Sequence, residues 1–132
     1  VKPEPREVKA EKLETLAGTR WVVIEMDGQP APAPVPGWEP LSLEFDAAGT
    51  SVSGNAGVNR FAGRYTSRDQ SLAFGPLAMT RRLGPPEQME KEREFTASIS
   101  QVVSWRQAGS NVALLDAGSR RVLLLAPQAQ RR

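Results

Sequence analysis

The sequence predicts an α+β domain, mainly β: a curved antiparallel sheet, or a partly open β-barrel, packed on one α-helix. Three observations predict it. Short β-branched and alternating apolar runs recur between Asp/Gly turn signals. One stretch in the C-terminal half carries apolar residues at spacings of three and four instead. That stretch interrupts the run of strands, so a helix lying on the concave face of the sheet buries both apolar stripes at once.

The elements read in order. Residues 1–15 are charged and poor in apolar groups, which predicts a flexible N-terminal tether. The folded domain is expected over 16–127, with 128–132 as a C-terminal tail. Trp21–Met26 reads as a strand, closed by Asp27-Gly28. Residues 30–40 hold five of the eleven prolines and read as a stiff loop with Trp38 on the body. The prolines alternate at a spacing of two, with no Pro-x-x-Pro for a module that reads polyproline II.

Leu41, Leu43 and Phe45 alternate on one strand face, and Asp46-Ala-Ala-Gly49 turns into Ser51–Gly54. Phe61–Tyr65 is a further strand, with Gly63 marking a bend or a close backbone approach. Ser71–Phe74 follows, Gly75-Pro76 breaks it, and Leu77–Met79 extends again. The helix is expected from Pro86 to Val103. Proline suits its first turn, Glu87 and Glu90 suit the positive end of its dipole, and Met89, Phe95, Ile99, Val102 and Val103 form its apolar face. The run Glu90–Glu94 reads as its solvated face. Asn111–Leu115 and Arg121–Ala126 make a last hairpin around Asp116-Ala-Gly-Ser119. The unbroken apolar run from Val122 predicts a strand covered on both sides.

Composition removes whole classes of function. The 132 residues contain neither Cys nor His. Disulfides, Cys nucleophiles, Ser–His pairs and the usual zinc, copper and iron–sulfur ligand sets are excluded. A domain of this size buries roughly 65–70% of its unfolded surface and needs no such staple. Of four lysines, Lys2, Lys9 and Lys12 lie in the tail and Lys91 in the charged run, so no Ser–Lys dyad is expected. Asp46, Asp69 and Asp116 sit in turn sequences and read as binding their own backbone. No enzyme and no cofactor is expected. The net charge of +2 collects at the two ends, and no basic stripe interleaved with aromatics points to nucleic acid. No stretch is long and apolar enough to span a membrane, and the absence of a long apolar surface stripe predicts a monomer or weak dimer.

Four residues stand out as a binding or structural patch: Asn59, Arg60, Thr80 and Arg81. As a binding patch, Arg60 and Arg81 are forks for an anion. As a structural one, Asn59 takes a left-handed backbone or bonds nearby amides, and Arg60 clamps a carbonyl or carboxylate across the sheet. An anion site at the helix start is weakened by Pro85 and Pro86, which remove two amide donors. Trp21, Trp38 and Trp105 read as packing residues, with the lining of an apolar ligand cavity as the alternative.

Several local motifs, in this order, resemble the META domain family, named with the heat-shock protein HslJ. They are Leu16-x-Gly18-Thr19-x-Trp21, Gly54-x-x-Gly57-Val58-Asn59-Arg60-Phe61-x-Gly63-x-Tyr65, Thr80-Arg81, Met89-x-x-Glu92-x-x-Phe95 and Leu114-Leu115-Asp116. The resemblance spans about residues 16–126. It implies a cell-envelope accessory protein, periplasmic or lipid-anchored, possessing stress-related links and an envelope protein as partner. It also implies a signal or lipid anchor upstream of Val1. Many members carry Cys at the position of Val58 and near Gly84, which suits a crosslink from the central loop to the helix start. This chain has neither. The alternative is a lipocalin-like binder of a small apolar ligand.

Overall fold

A computed structural model of the chain describes residues 13–31 and 39–128. The tail up to residue 12, the proline-rich stretch 32–38 with Trp38, and residues 129–132 lie outside the described residues. Among the described residues, nine strands form one antiparallel sheet: β1 (Arg20–Met26), β2 (Gln29–Pro30), β3 (Ser42–Phe45), β4 (Ser51–Asn55), β5 (Arg60–Arg68), β6 (Ser71–Met79), β7 (Ser104–Ala108), β8 (Asn111–Leu115) and β9 (Arg121–Pro127). Helix α1 (Pro86–Gln101) lies between β6 and β7 in the chain.

The sheet curls into a ring because β1 pairs on both sides. It meets β3 through Arg20–Val22 and β9 through Trp21–Met26, so the first and last strands of the domain are neighbours. The short β2 continues the β3 side of β1 after a turn in which Asp27 and Gly28 both take positive φ. That geometry matches the twist of adjacent strands.

The ring is filled from all sides. The predicted face Leu41, Leu43 and Phe45 is buried, as are Trp21, Phe61, Tyr65, Trp105 and Leu125 from other strands. From α1 come Phe95, Ile99 and, just past its end, Val102. Phe45 meets Tyr65 edge-on at 4.9 Å, and Phe61 meets Phe95 at 5.7 Å. Each such side chain contributes about 1.5–3 kcal/mol on burial. Leu13, placed in the tether by sequence, packs against this core.

Three details depart from the sequence reading. β6 runs unbroken through Gly75-Pro76, because a register shift between Gly63 and Tyr65 of β5 accommodates the irregularity. A side chain at Gly63 would press on Pro76 O at 2.7 Å, the close approach its position suggested. α1 ends at Gln101, and extended Val102 begins the path into β7, which leaves Val103 47% exposed and off the apolar face. β7 itself carries a single large apolar residue, Trp105, and so gives no alternation to read. Val122, Leu123 and Leu125 of β9 are buried and Leu124 half-buried, as a strand covered on both faces requires.

The seam between β6 and β7 is short. They share one register position, Ser71 opposite Ser104, flanked by backbone bonds from Leu72 N to Val103 O and from Trp105 N to Gln70 O. Beyond it, among the described residues, the far half of β6 has α1 beside it instead of a strand.

Two hairpin turns are held by aspartates. Asp46 Oδ1 accepts from Gly49, Thr50 and Ser51 N–H, and Asp116 Oδ1 from Gly118 and Arg120 N–H. Backbone donation, first from Thr50, holds Asp46 below its ordinary 3.8, and donation from Arg120 N–H does the same for Asp116. A carboxylate depressed in the folded state stabilises above its unfolded value, and that contribution is lost as pH falls through the folded value. Urea unfolding across pH 3 to 7, roughly, should show a decline below about pH 4. The double variant Asp46→Asn/Asp116→Asn should show a shallower decline. Equal pH slopes in the two proteins would refute the assignment.

Candidate functional site

The four residues singled out by sequence fall in one region, but they do different things. Asn59 precedes β5 in the loop that follows β4. It is 3% exposed and spends its whole side chain on its neighbours. Its Oδ1 accepts from Thr80 Oγ1 at 2.9 Å and from Arg82 N at 2.7 Å. Its Nδ2 donates to Arg82 O and to Glu92 Oε2, both at 3.1 Å. Its own backbone N–H donates to Glu92 Oε1 at 2.7 Å. Both oxygens of one helical carboxylate are thus engaged by one loop residue. The backbone of Asn59 is not left-handed; its hydrogen-bonding side chain gives it its place.

Glu92 is the residue that sequence reading misplaced. Its neighbours do form the solvated face, with Arg93 paired to Glu90 and Lys91 to Glu94. Glu92 lies a turn ahead of Phe95 and faces the loop. Its position within Met89-x-x-Glu92-x-x-Phe95, in register with the buried stripe, was the available signal. Gly57 makes the approach possible. It takes φ +134°, and a Cβ there would lie 3.2 Å from Glu92 Cβ.

Thr80 joins two segments. Its hydroxyl donates to Asn59 and accepts from Arg60 N, and its N–H donates to Arg60 O. Arg60 points outward, 3.7 Å from the exposed Glu39. Arg82 turns back and donates to Val58 O at 2.7 Å. Arg81 is exposed, and its guanidinium has no ion-pair partner among the described residues. Asn55, which the sequence reading passed over, is buried and ties Glu39 O and Pro40 O to the end of β4. Beside it, a side chain at Gly54 would fall 2.1 Å from Ser42 O, so only glycine fits.

Val58 and Gly84 are in contact. Val58 is buried, and a Cβ at Gly84 would lie 2.6 Å from its Cγ2 and 3.4 Å from its Cβ. The valine methyl groups fill the space a residue-84 side chain would occupy. α1 begins at Pro86, after Pro85 at the N-cap and with no side-chain cap, so its start is positioned by this contact and by Glu92.

A cleft of about 440 Å³ opens beside this network. Leu77 and Met79 of β6 and Met89 of α1 form its apolar wall, and Arg81 stands at it. A second groove of about 310 Å³ shares Leu77 and Met79 and continues along α1 past Ile99.

Fold and site together define a small all-antiparallel ring domain whose central loop is latched to helix α1. The chain belongs to the META domain family, whose model matches residues 14–129. Among solved structures it is similar to a protein from Burkholderia xenovorans determined by NMR, with 21% identity and a TM-score of 0.66, covering 96% of this chain and 100% of that one. A second protein determined by NMR is 21% identical, with a TM-score of 0.62 over 83% of this chain and 88% of the other. The crystal structure of a duf4847 family protein from Bacteroides vulgatus is 13% identical, with a TM-score of 0.61 over 88% and 96%. At these identities the likeness shows the fold. No curated protein matches the chain.

Two variants test the latch. Asn59→Ala deprives the Thr80 hydroxyl, the Arg82 N–H and carbonyl and Glu92 Oε2 of one buried partner, and should cost about 3 kcal/mol. Thr80→Ala, at an exposed position, should cost about 1 kcal/mol. Urea unfolding giving equal or negligible losses would refute the hub role of Asn59.

The Val58–Gly84 contact gives a further expectation. Gly84→Ala alone should destabilise, since its new methyl meets Val58. Val58→Cys with Gly84→Cys removes that clash, and disulfides join Cβ atoms about 3.5–4.5 Å apart. The oxidised double variant should exceed its own reduced form by about 3 kcal/mol. Failure to oxidise, seen by thiol titration, would show that the two positions do not face each other.

Proposed function

We propose that the protein is a non-enzymatic accessory domain of the cell envelope, stress-related, acting through contacts with another envelope protein. The observation that carries this reading is how the polar side chains are used. Asn59, Thr80 and Glu92 satisfy one another across the loop–helix junction. Asp46 and Asp116 spend their carboxylates on their own turns. These groups build the fold, and none is held ready for a substrate. Membership of the META family supports the envelope setting. No helix among the described residues is long and apolar enough to cross a membrane.

The lipocalin-like alternative has less support. Side chains at the centre of the ring, among them Phe45, Phe95, Leu114 and Trp105, are packed to 2% exposure or less. The clefts described above open on the outside.

Mass spectrometry of the full-length protein from its native host tests the setting. An N-terminus bearing a diacyl-modified cysteine, or one cut by signal peptidase, in the envelope fraction is expected. A cytosolic protein with an intact initiator Met would overturn it.

A further inference from the structure

We infer that the cleft between the far half of β6 and α1 is a docking groove for an extended acidic–apolar segment of a partner protein. This inference deepens the action through protein contacts proposed above and rests on it.

The groove follows from topology. β6 and β7 separate after Ser71, and α1 fills the space with side chains instead of a strand. Leu77 and Met79 are therefore left half-buried against Met89 at one end and Ile99 at the other. A cleft of about 440 Å³ and a groove of about 310 Å³, which share Leu77 and Met79 as lining, have room for a few apolar side chains. Methionines on both walls give a lining that adapts to different shapes.

The charges set the partner's sign. Glu92, the acidic group at this cleft, already has both oxygens on Asn59. Glu90 is taken by Arg93 and Glu94 by Lys91. Arg82 at the same cleft turns its guanidinium to Val58 O. Among the described residues, Arg81 is left as the uncommitted cation at this cleft, with Leu83 beside it 93% exposed. A carboxylate next to an apolar side chain complements this pair. Strand addition along β6 is not the mode, because the Gly75-Pro76 irregularity interrupts a regular ladder and Pro76 has no N–H. Recognition is by side chains.

The three methionines allow a direct test. Met79 and Met89 line the groove, and Met26 is buried in the core as an internal reference. The full chain, labelled at its methionine methyl groups, is titrated by NMR with the synthetic acetylated peptide ELVLE and its counterpart KLVLK. Saturable shifts at Met79 and Met89 with ELVLE, an unmoved Met26, and a weaker response to KLVLK are expected. The surface variant Arg81→Glu should weaken ELVLE about tenfold and reverse the preference.

Equal response to both peptides, no shift at millimolar peptide, or movement of Met26 with the others would overturn the inference. So would shifts produced by phosphatidylglycerol vesicles and not by peptide, which would make the groove a lipid contact. Shifts at Met79 and Met89 on deleting residues 1–12, with no peptide present, would make the chain's own tail the occupant and also overturn it. Localisation does not enter this measurement, so a cytosolic N-terminus would defeat the envelope setting and leave the binding result standing.

Discussion

The two-pronged contact between Glu92 and Asn59 is the constraint on which much else depends. A helix that starts on two prolines has no capping side chain and few amides to fix its entry. Its position comes from a carboxylate gripping a loop residue by backbone and side chain together. That grip sets Phe95, one turn on, against Phe61 in the ring. It also fixes Asn59, and through it Thr80 and the backbone of Arg82, so the chain leaving β6 is held by the same residue that receives the helix.

The glycines of the central loop serve that contact. Gly57 lets the helix backbone come close, and Gly84 leaves room for Val58. The loop motif therefore works as a surface shaped to receive α1. At this junction the valine methyl groups pack where a residue-84 side chain would stand.

Much of the fold was legible in the sequence because most strands obey simple alternation. Leu41, Leu43 and Phe45 announce their face, and the aspartate–glycine turns announce their hairpins. β7 was not legible, since one tryptophan among polar residues carries no period. Gly75-Pro76 misled for the opposite reason: a strong local breaker is absorbed by a bulge that only the pairing with β5 reveals. At the site, residue types were readable and partnerships were not. Asn59 and Thr80 stood out, while Glu92 was hidden in a run of charges where spacing to Phe95 was the sole distinction. The open groove was invisible because it comes from where two strands separate, and no residue type marks that.

The pairing of β1 with β9 has a consequence for the connectivity of the domain. Gln128 N–H donates to Arg20 O, so the chain enters and leaves the ring at the same place. A short linker there could join the old ends, and new ends could be opened at an exposed hairpin such as Asp116–Ser119 without breaking the core. The same geometry makes the ring a compact insert, able to hang from a single point of a larger polypeptide while its groove, on the far side of the sheet order, stays clear of the attachment.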